Sequence, residues 1–460
     1  MKNSYLALLF LIYLLVIISV PAVMAEPYGY IDKTGKLVID LHKYRGRYFH
    51  IFKPQEDFFI ASTEPFHCGR ALLWFDYYSV QKQINHDQFY RFIDKSGNFI
   101  PGEFYGAFSF SENRAAVQPE KNGKWGYIDL DGKLIIPAIY DKVESFKNGQ
   151  VIVQLNNKYG LIDLNGKSLI PCMYDEVKAF SEGLANVKIN EKWGYIDINN
   201  NIIIKAQFKA AAPFHEGLAA VQLVSNKLGY INKNGKLEFE TNYHFLYSFS
   251  EGLAAADKLV SKQFSKENNK WFGNFQLVYI NKDGQEVIKT DALWISSLDY
   301  SNSPLLDNYF FVDFHNGVAI IKTYNYSGIN KIINTNDSLI DKQGKVLCKY
   351  YCITPFKDGL AVVSLFAGKH KQISGYIDKT GEITLPLKFT QADSFHEGLA
   401  IVSTKVHGRD RFGYINKSGN WVIKPQFRGS FEGHFSASGG EQDFYEGLAW
   451  TGVLPFRNFL

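Results

Sequence analysis

Residues 123–214 state one pattern three times. Gly-Lys-Trp-Gly-Tyr-Ile-Asp at 123–129, Asn-Lys-Tyr-Gly-Leu-Ile-Asp at 157–163 and Glu-Lys-Trp-Gly-Tyr-Ile-Asp at 191–197 each lead through a Gly or Asn turn into a short aliphatic run. Gly126, Gly160, Gly194 and Gly229 stand 34, 34 and 35 residues apart. A unit of that length cannot bury an apolar face alone, so neighbouring units must stack and share a core. The period therefore constrains the architecture before any single residue is considered.

Aligning the chain with itself extends the pattern to ten copies, at 29–32, 91–94, 126–129, 160–163, 194–197, 229–232, 278–281, 338–341, 375–378 and 413–416. Most are followed closely by a Gly, such as Gly132 or Gly166, suited to the positive φ of a hairpin. A second apolar strand follows, such as Leu134-Ile135-Ile136, and Pro137 or Pro171 is expected to stop it. A second signature closes each unit: Phe-Ser-Glu-Gly-Leu-Ala at 180–185, with close relatives at 214–219, 249–254, 356–361, 395–400 and 445–449. Weaker copies at 66–71, 110–115, 146–151 and 314–319 bring the number to ten again. Its tail, Leu184-Ala185-Asn186-Val187-Lys188-Ile189, alternates like a half-buried strand. Each unit reads as about three short antiparallel strands without a helix, and the recurring Trp, Tyr and Phe read as shared core.

The combination Lys-Trp-Gly-Tyr-Ile-Asp, Gly-Lys, Ile-Ile-Pro and Phe-x-Glu-Gly-Leu-Ala resembles the bacterial WG repeat, also called the KWG repeat, over nearly the whole chain after residue 25. Asn281 and Asn416 replace the Asp, Leu339 replaces the aromatic, and copies before residue 110 and between 286 and 340 are degenerate. The resemblance implies β-rich repeats in surface or exported proteins, with no assigned molecular role. The expected fold is all-β: about ten tandem three-stranded antiparallel repeats. They form either a propeller-like closed ring or an open superhelical array. The first strand, at 28–32, lacks its Gly-Leu-Ala partner, and the last Gly-Leu-Ala, at 447–449, lacks its Tyr-Ile-Asp partner. Pairing the two closes a ring and removes both exposed edges.

Residues 1–25 read as a secretory signal peptide: Lys2, an apolar run from Leu6 to Val20, a break at Pro21 and a cut after Ala25. A retained membrane anchor is the alternative, because a span needs about 18–20 apolar residues. Residues 26–460 read as a single repeat domain, with degenerate repeats over 26–122, regular ones over 123–256 and insertion-bearing ones over 257–460. The expected location is periplasmic, cell-surface or secreted, with no stable membrane span once the leader is cut. The chain carries 50 Lys and Arg against 46 Asp and Glu, too even a balance to argue for nucleic acid as a partner. Four cysteines are too few for a disulfide scaffold. Cys348 and Cys352 stand either as a local bridge or as buried thiols.

The repeated Asp (Asp32, Asp129, Asp163, Asp197) suits the first position of a turn, hydrogen-bonded to the turn's own backbone. Asp129-Leu130-Asp131-Gly132 looks like part of a calcium loop, but Tyr140 stands where that loop needs a bidentate Glu. His215-Glu216 and His396-Glu397 lack the second His four residues on that a zinc helix requires. No phosphate loop, dinucleotide fingerprint or nucleophile elbow is present, and no cofactor is expected. A binding site is therefore expected where the repeat fails. One group of insertions, at 261–274, 323–336, 368–374 and 404–411, should project from one side as a basic rim. Another, at 42–64 and 289–313, is rich in aromatics. Trp294, Tyr300, Lys369, Lys371, Arg409 and Arg411 are the candidate binding residues. The expected role is a non-enzymatic exported scaffold that binds a protein or an envelope polysaccharide such as peptidoglycan. The rival is an enzyme whose site joins His42, His50, His370 or His407 to carboxylates in the inserted loops.

Overall fold

The computed structural model describes residues 29–41, 57–78, 88–265, 269–297, 305–306, 312–326, 332–366, 372–427 and 447–450. No helix occurs among the described residues, so none there is long and apolar enough to cross a membrane. The described strands form ten sheets. All pairings are antiparallel except that of Leu305–Leu306, which runs parallel to Phe245–Ser250. Numbered along the chain, sheet 1 contains Gly29–Asp32, and sheets 2 to 10 are built around Arg70–Tyr78, Ala115–Gln118, Gln150–Leu155, Ala185–Ile189, Leu218–Gln222, Leu253–Ser265, Val318–Tyr326, Ala361–Phe366 and Leu399–Val406.

Sheet 5 shows the regular unit, in the order Glu176–Val177, Ala185–Ile189, Lys192–Ile196, Ile202–Phe208. The expected three strands are present, and a two-residue fourth strand joins them. It arises because the third strand of one sheet does not stop. Ser168–Tyr174 ends sheet 4, and one residue later Glu176–Val177 opens sheet 5. The same one-residue link joins sheets 3 to 4, 5 to 6, 8 to 9 and 9 to 10, and tethers those neighbours with almost no slack.

The proline expectation needs correction. Leu134–Tyr140 runs through Pro137 as one strand. Tyr127 pairs with Ile136 and Trp125 with Tyr140, so Pro137 falls in a bulge, where the ladder needs no N–H. The same bulge explains the signature glycine. A Cβ on Gly194 would lie 2.5 Å from the Ile204 carbonyl oxygen, and one on Gly126 equally close to that of Ile136. Only Gly allows the bulged strand to approach so closely.

The half-buried reading of the Gly-Leu-Ala strand is also corrected. Ala185, Asn186 and Val187 are all buried. The reason is that each sheet is covered on both faces. Ala219 packs towards sheet 5 while the next residue, Ala220, packs towards sheet 7. Asn186, facing sheet 6, donates Nδ2–H to the Ala211 carbonyl at 2.7 Å, while its buried Oδ1 has no hydrogen-bond partner among the described residues. Between sheets, the Tyr of the first signature meets the Phe of the next closing signature: Tyr127 with Phe146 at 4.9 Å and Tyr195 with Phe214 at 4.8 Å. The Tyr hydroxyls donate to backbone carbonyls of the following sheet. Such aromatic pairs contribute about 0.5–1.5 kcal/mol beyond burial, and they recur at joint after joint.

Ring closure is decided by the ends. Leu448–Trp450 pairs with Gly29–Asp32 through Leu448–Asp32, Ala449–Ile31 and Trp450–Tyr30. That register is the one Leu218, Ala219 and Ala220 use with Asn232, Ile231 and Tyr230 inside sheet 6. The buried apolar residues fall into ten clusters, each shared by two neighbouring sheets. One joins Ile31 and Ala449 of sheet 1 to Tyr414 and Ile423 of sheet 10. The opposite face of sheet 1 packs Tyr30 and Ile39 on Ala71 and Ile93 of sheet 2. The ten sheets therefore form a closed ring, not an open array.

Candidate functional site

The two ends of the sheets differ in what they do. At one end lie the Phe-x-Glu-Gly turns and the Asp hairpins. Ser181 and Leu184 bridge the two residues Glu182 and Gly183, whose φ values are 51° and 88°. Positive φ at both central positions defines a type I′ turn, which normally prefers Asn-Gly. Glu at the first position carries a cost of order 1 kcal/mol. It is retained because its carboxylate has a partner: Glu182 accepts the Gly217 N–H at 3.0 Å and pairs with Lys233 at 3.1 Å, both in sheet 6. Glu216, Glu251 and Glu397 repeat the contact with Gly252, Gly317 and Gly447.

Where the motif degenerates, the chemistry is replaced. Cys68 stands at the Glu position, and its Sγ accepts the Asn113 N–H at 3.4 Å. Leu130 and Leu164 stand at the Lys position, and their carbonyls accept Nε–H from Arg70 and Arg114 of the preceding sheet. The Asp residues cap their own hairpins. Asp129 Oδ1 accepts the N–H groups of Asp131 and Lys133 at 3.0 and 2.9 Å, and Asn232 and Asn416 do the same in their repeats. No group of three or more His, Cys, Asp or Glu is placed to hold a metal among the described residues.

The other end carries the hairpins that join the Gly-Leu-Ala strand to the next Tyr-Ile strand. In sheet 5 this hairpin ends at the pair Ile189–Lys192. In sheet 7 the equivalent ladder, starting at Ala254–Ile280, continues to Ser265–Lys270. That carries it roughly 20 Å beyond the regular rim, at about 3.4 Å per residue. Val318–Tyr326 with Ile332–Asp341 in sheet 8, and Leu399–Val406 with Arg409–Asn416 in sheet 10, are shorter versions. The described parts of the insertions at 261–274, 323–336 and 404–411 are thus mostly strand, standing on one arc of the ring.

Of the cations expected on a basic rim, Lys262 and Lys270 are exposed, and Lys266 lies outside the described residues. Lys405 is paired with Asp410 at 2.6 Å, and Arg411 is half-buried, donating Nη1–H to the Asp410 carbonyl at 3.1 Å. Arg409 is exposed beside the turn at His407 and Gly408. Trp294 lies in the strand Glu286–Ser297 of sheet 7, paired with Phe275; its place is separated from Arg409 and Arg411 by sheets 8 and 9. Tyr300, Lys369 and Lys371 lie outside the described residues, as do His42, His50, His370 and the leader. Cys348 and Cys352 are free thiols, not a bridge, and burial raises both to about 11.

What the sequence reading overlooked is the tip of the sheet 7 hairpin. Phe264 and Trp271 face each other across it with ring centroids 5.4 Å apart, and remain 43% and 52% exposed. Lys262, opposite Gly273, stands on the same face. Val260 and Leu293 are exposed lower on the hairpin. The signal was available as alternation, Lys262-x-Phe264, but the strand had to be known before it meant anything.

Closed by its first and last strands, the ring is a repeat scaffold whose period is spent on sheet-to-sheet contacts. The chain belongs to the WG repeat family: the model described as WG containing repeat matches residues 28–44, 90–125, 125–159, 159–193, 193–227, 229–258, 375–405 and 412–429. No curated protein matches the chain. Among solved structures, BamB from Moraxella catarrhalis is similar at 11% identity and a TM-score of 0.31, over 68% of this chain and 99% of that one. A score that low leaves the fold to rest on the strand pairing itself.

Proposed function

We propose that this protein is an exported, non-enzymatic scaffold whose ring presents the hairpin arc of sheets 7 to 10 to another macromolecule, a protein or an envelope polysaccharide. The observation that carries this reading is the division of labour between the two ends. The Glu, Lys, Asp and Gly of the repeats are used in turns and joints, whereas the departures from the period extend from the other end. Catalysis needs one asymmetric constellation of reactive groups, and the repeated polar residues are satisfied by the scaffold instead. Export is supported by the basic start, apolar run and small residues before Glu26.

The test is retention of the full chain on isolated envelope fractions, compared with a variant in which 259–275 is replaced by a two-residue Asn-Gly turn. Retention of the full chain that falls at least tenfold in the shortened variant supports the reading. Equal retention of both, or none by any fraction, sinks it.

A further inference from the structure

We propose that the sheet 7 hairpin docks on an anionic lipid surface, with Phe264 and Trp271 entering the interface and Lys262 and Lys270 meeting the headgroups. The hairpin reaches roughly 20 Å beyond the regular rim, and one face of its tip, that of Phe264 and Trp271, is open, whereas Phe272 and Ser265 on the other face are buried. The tip carries a Trp and a Phe, both about half exposed, on a cross-strand pair. Trp is favoured at membrane interfaces because its ring is apolar and its N–H is polar. Lys262 stands two pairs below, on the same face, and Lys270 pairs with Ser265 next to the turn; both are exposed. The exposed carboxylate on the third strand, Asp291, is level with Leu277, roughly 20 Å further down. Cation and aromatic therefore share the tip; Asp291 is held away from it, while Lys266 and Glu267 of the turn sequence lie outside the described residues and offset one another in charge.

The geometry favours lipid over a sugar chain. The two rings are inclined at 59°, so they offer no common plane on which consecutive sugar rings could stack. Val260 and Leu293, exposed lower on the hairpin, are aliphatic and supply no hydrogen bonds to sugar hydroxyls, and the exposed Ser261 hydroxyl already accepts Nδ2–H from Asn274 at 2.6 Å. Apolar side chains beside Lys are the combination that an acidic bilayer surface attracts. Gly273 keeps the tip flat on this face: a Cβ there would lie 2.7 Å from both the Phe275 ring and Leu259.

The experiment is sedimentation of the full chain with vesicles of phosphatidylcholine alone and of phosphatidylcholine containing phosphatidylglycerol, at low and high salt. Binding is expected to the anionic vesicles only, weakened by salt. F264S/W271S should lower the partition coefficient about tenfold or more, and K262E/K270E by about tenfold on anionic vesicles. W271F should bind nearly as well but lose most of the quenching by brominated lipid; residues 1–28 contain no Trp, so they cannot mimic that loss. All these positions are exposed, and unchanged thermal midpoints would confirm that the variants fold.

The proposal is overturned if the unaltered chain ignores anionic vesicles, if F264S/W271S binds them as well as the unaltered chain, or if F264S/W271S loses polysaccharide retention while vesicles are never bound. It fails separately from the scaffold reading. Vesicle binding without retention of a protein or polysaccharide ends the scaffold and keeps the lipid contact; retention that survives F264S/W271S does the reverse when vesicles are not bound.

Discussion

The carboxylate of Glu397 accepts the backbone N–H of Gly447 at 2.9 Å, bonding sheet 10 to the strand that completes sheet 1. Lys33, near the opposite end of the chain, reaches the same carboxylate at 3.1 Å. Glu182 treats Gly217 and Lys233 alike in the middle of the chain. The seam of the ring is thus built like an interior joint.

Glu397→Ala should test the seam. Its partners are partly solvated, so the global cost should be about 1 kcal/mol. Amide exchange at Leu448–Trp450 should accelerate about five- to tenfold, whereas Glu182→Ala, at similar global cost, should leave those amides protected. Identical exchange profiles for the two variants would show that the clamp does not hold the ends.

Gly194→Ala and Gly217→Ala separate two uses of glycine. A Cβ at Gly194 would meet backbone at 2.5 and 2.7 Å, while at Gly217, with φ at 86°, nothing lies within 4 Å. The first should cost about 3 kcal/mol or more, because backbone must move. The second should cost about 1 kcal/mol of strain. Chemical denaturation midpoints measure both, and equal losses would contradict the bulge.

Asp313, beside His315 between sheets 7 and 8, should give the stability a measurable pH dependence. Burial pushes its carboxyl from 3.8 up to about 6, against partial relief from His315. The folded state therefore holds the proton more tightly than the unfolded chain. Its contribution is most favourable below pH 4 and is lost as pH rises through 6. Asp313→Asn should match the unaltered protein near pH 4 and exceed it by about 1–2 kcal/mol at pH 7, allowing for partial solvent access. Thermal midpoints across that window check it; parallel curves would refute it.

Asp197→Ala should lose three contacts, from the Asn199 and Asn201 backbone N–H groups at 2.9 and 2.8 Å and from Asn201 Nδ2–H at 2.9 Å, and cost about 1 kcal/mol. Asp197→Asn should be nearly neutral, since Asn232 makes the same backbone contacts in its own repeat. Calcium should not shift the thermal midpoint of the unaltered protein; a rise that Asp197→Asn abolished would reinstate a metal role.

The strand pattern, the turn role of Asp and the complementarity of the two end strands were legible because each is local or repeated. A period of 34 residues writes the same environment many times, so a degenerate copy can be read from its neighbours. The stop expected at Pro137 was misplaced because a bulge depends on the partner strand, which sequence alone does not align. The half-buried reading of Ala185–Ile189 failed for a related reason. Covering both faces requires a neighbour on each side, and only the assembled ring supplies two.

The sequence by itself determined that ten units would form and that their aromatics and glycines would serve as scaffold. Only the tertiary structure decided that the ends pair, that Cys68 stands in for a missing Glu and Arg114 for a missing Lys, and that Phe264 and Trp271 meet at the tip of a tall hairpin. The physical reason is range. Turn geometry and strand alternation act within a few residues, whereas closure and the exposed aromatic pair arise from contacts whose partners are set by the register of whole strands.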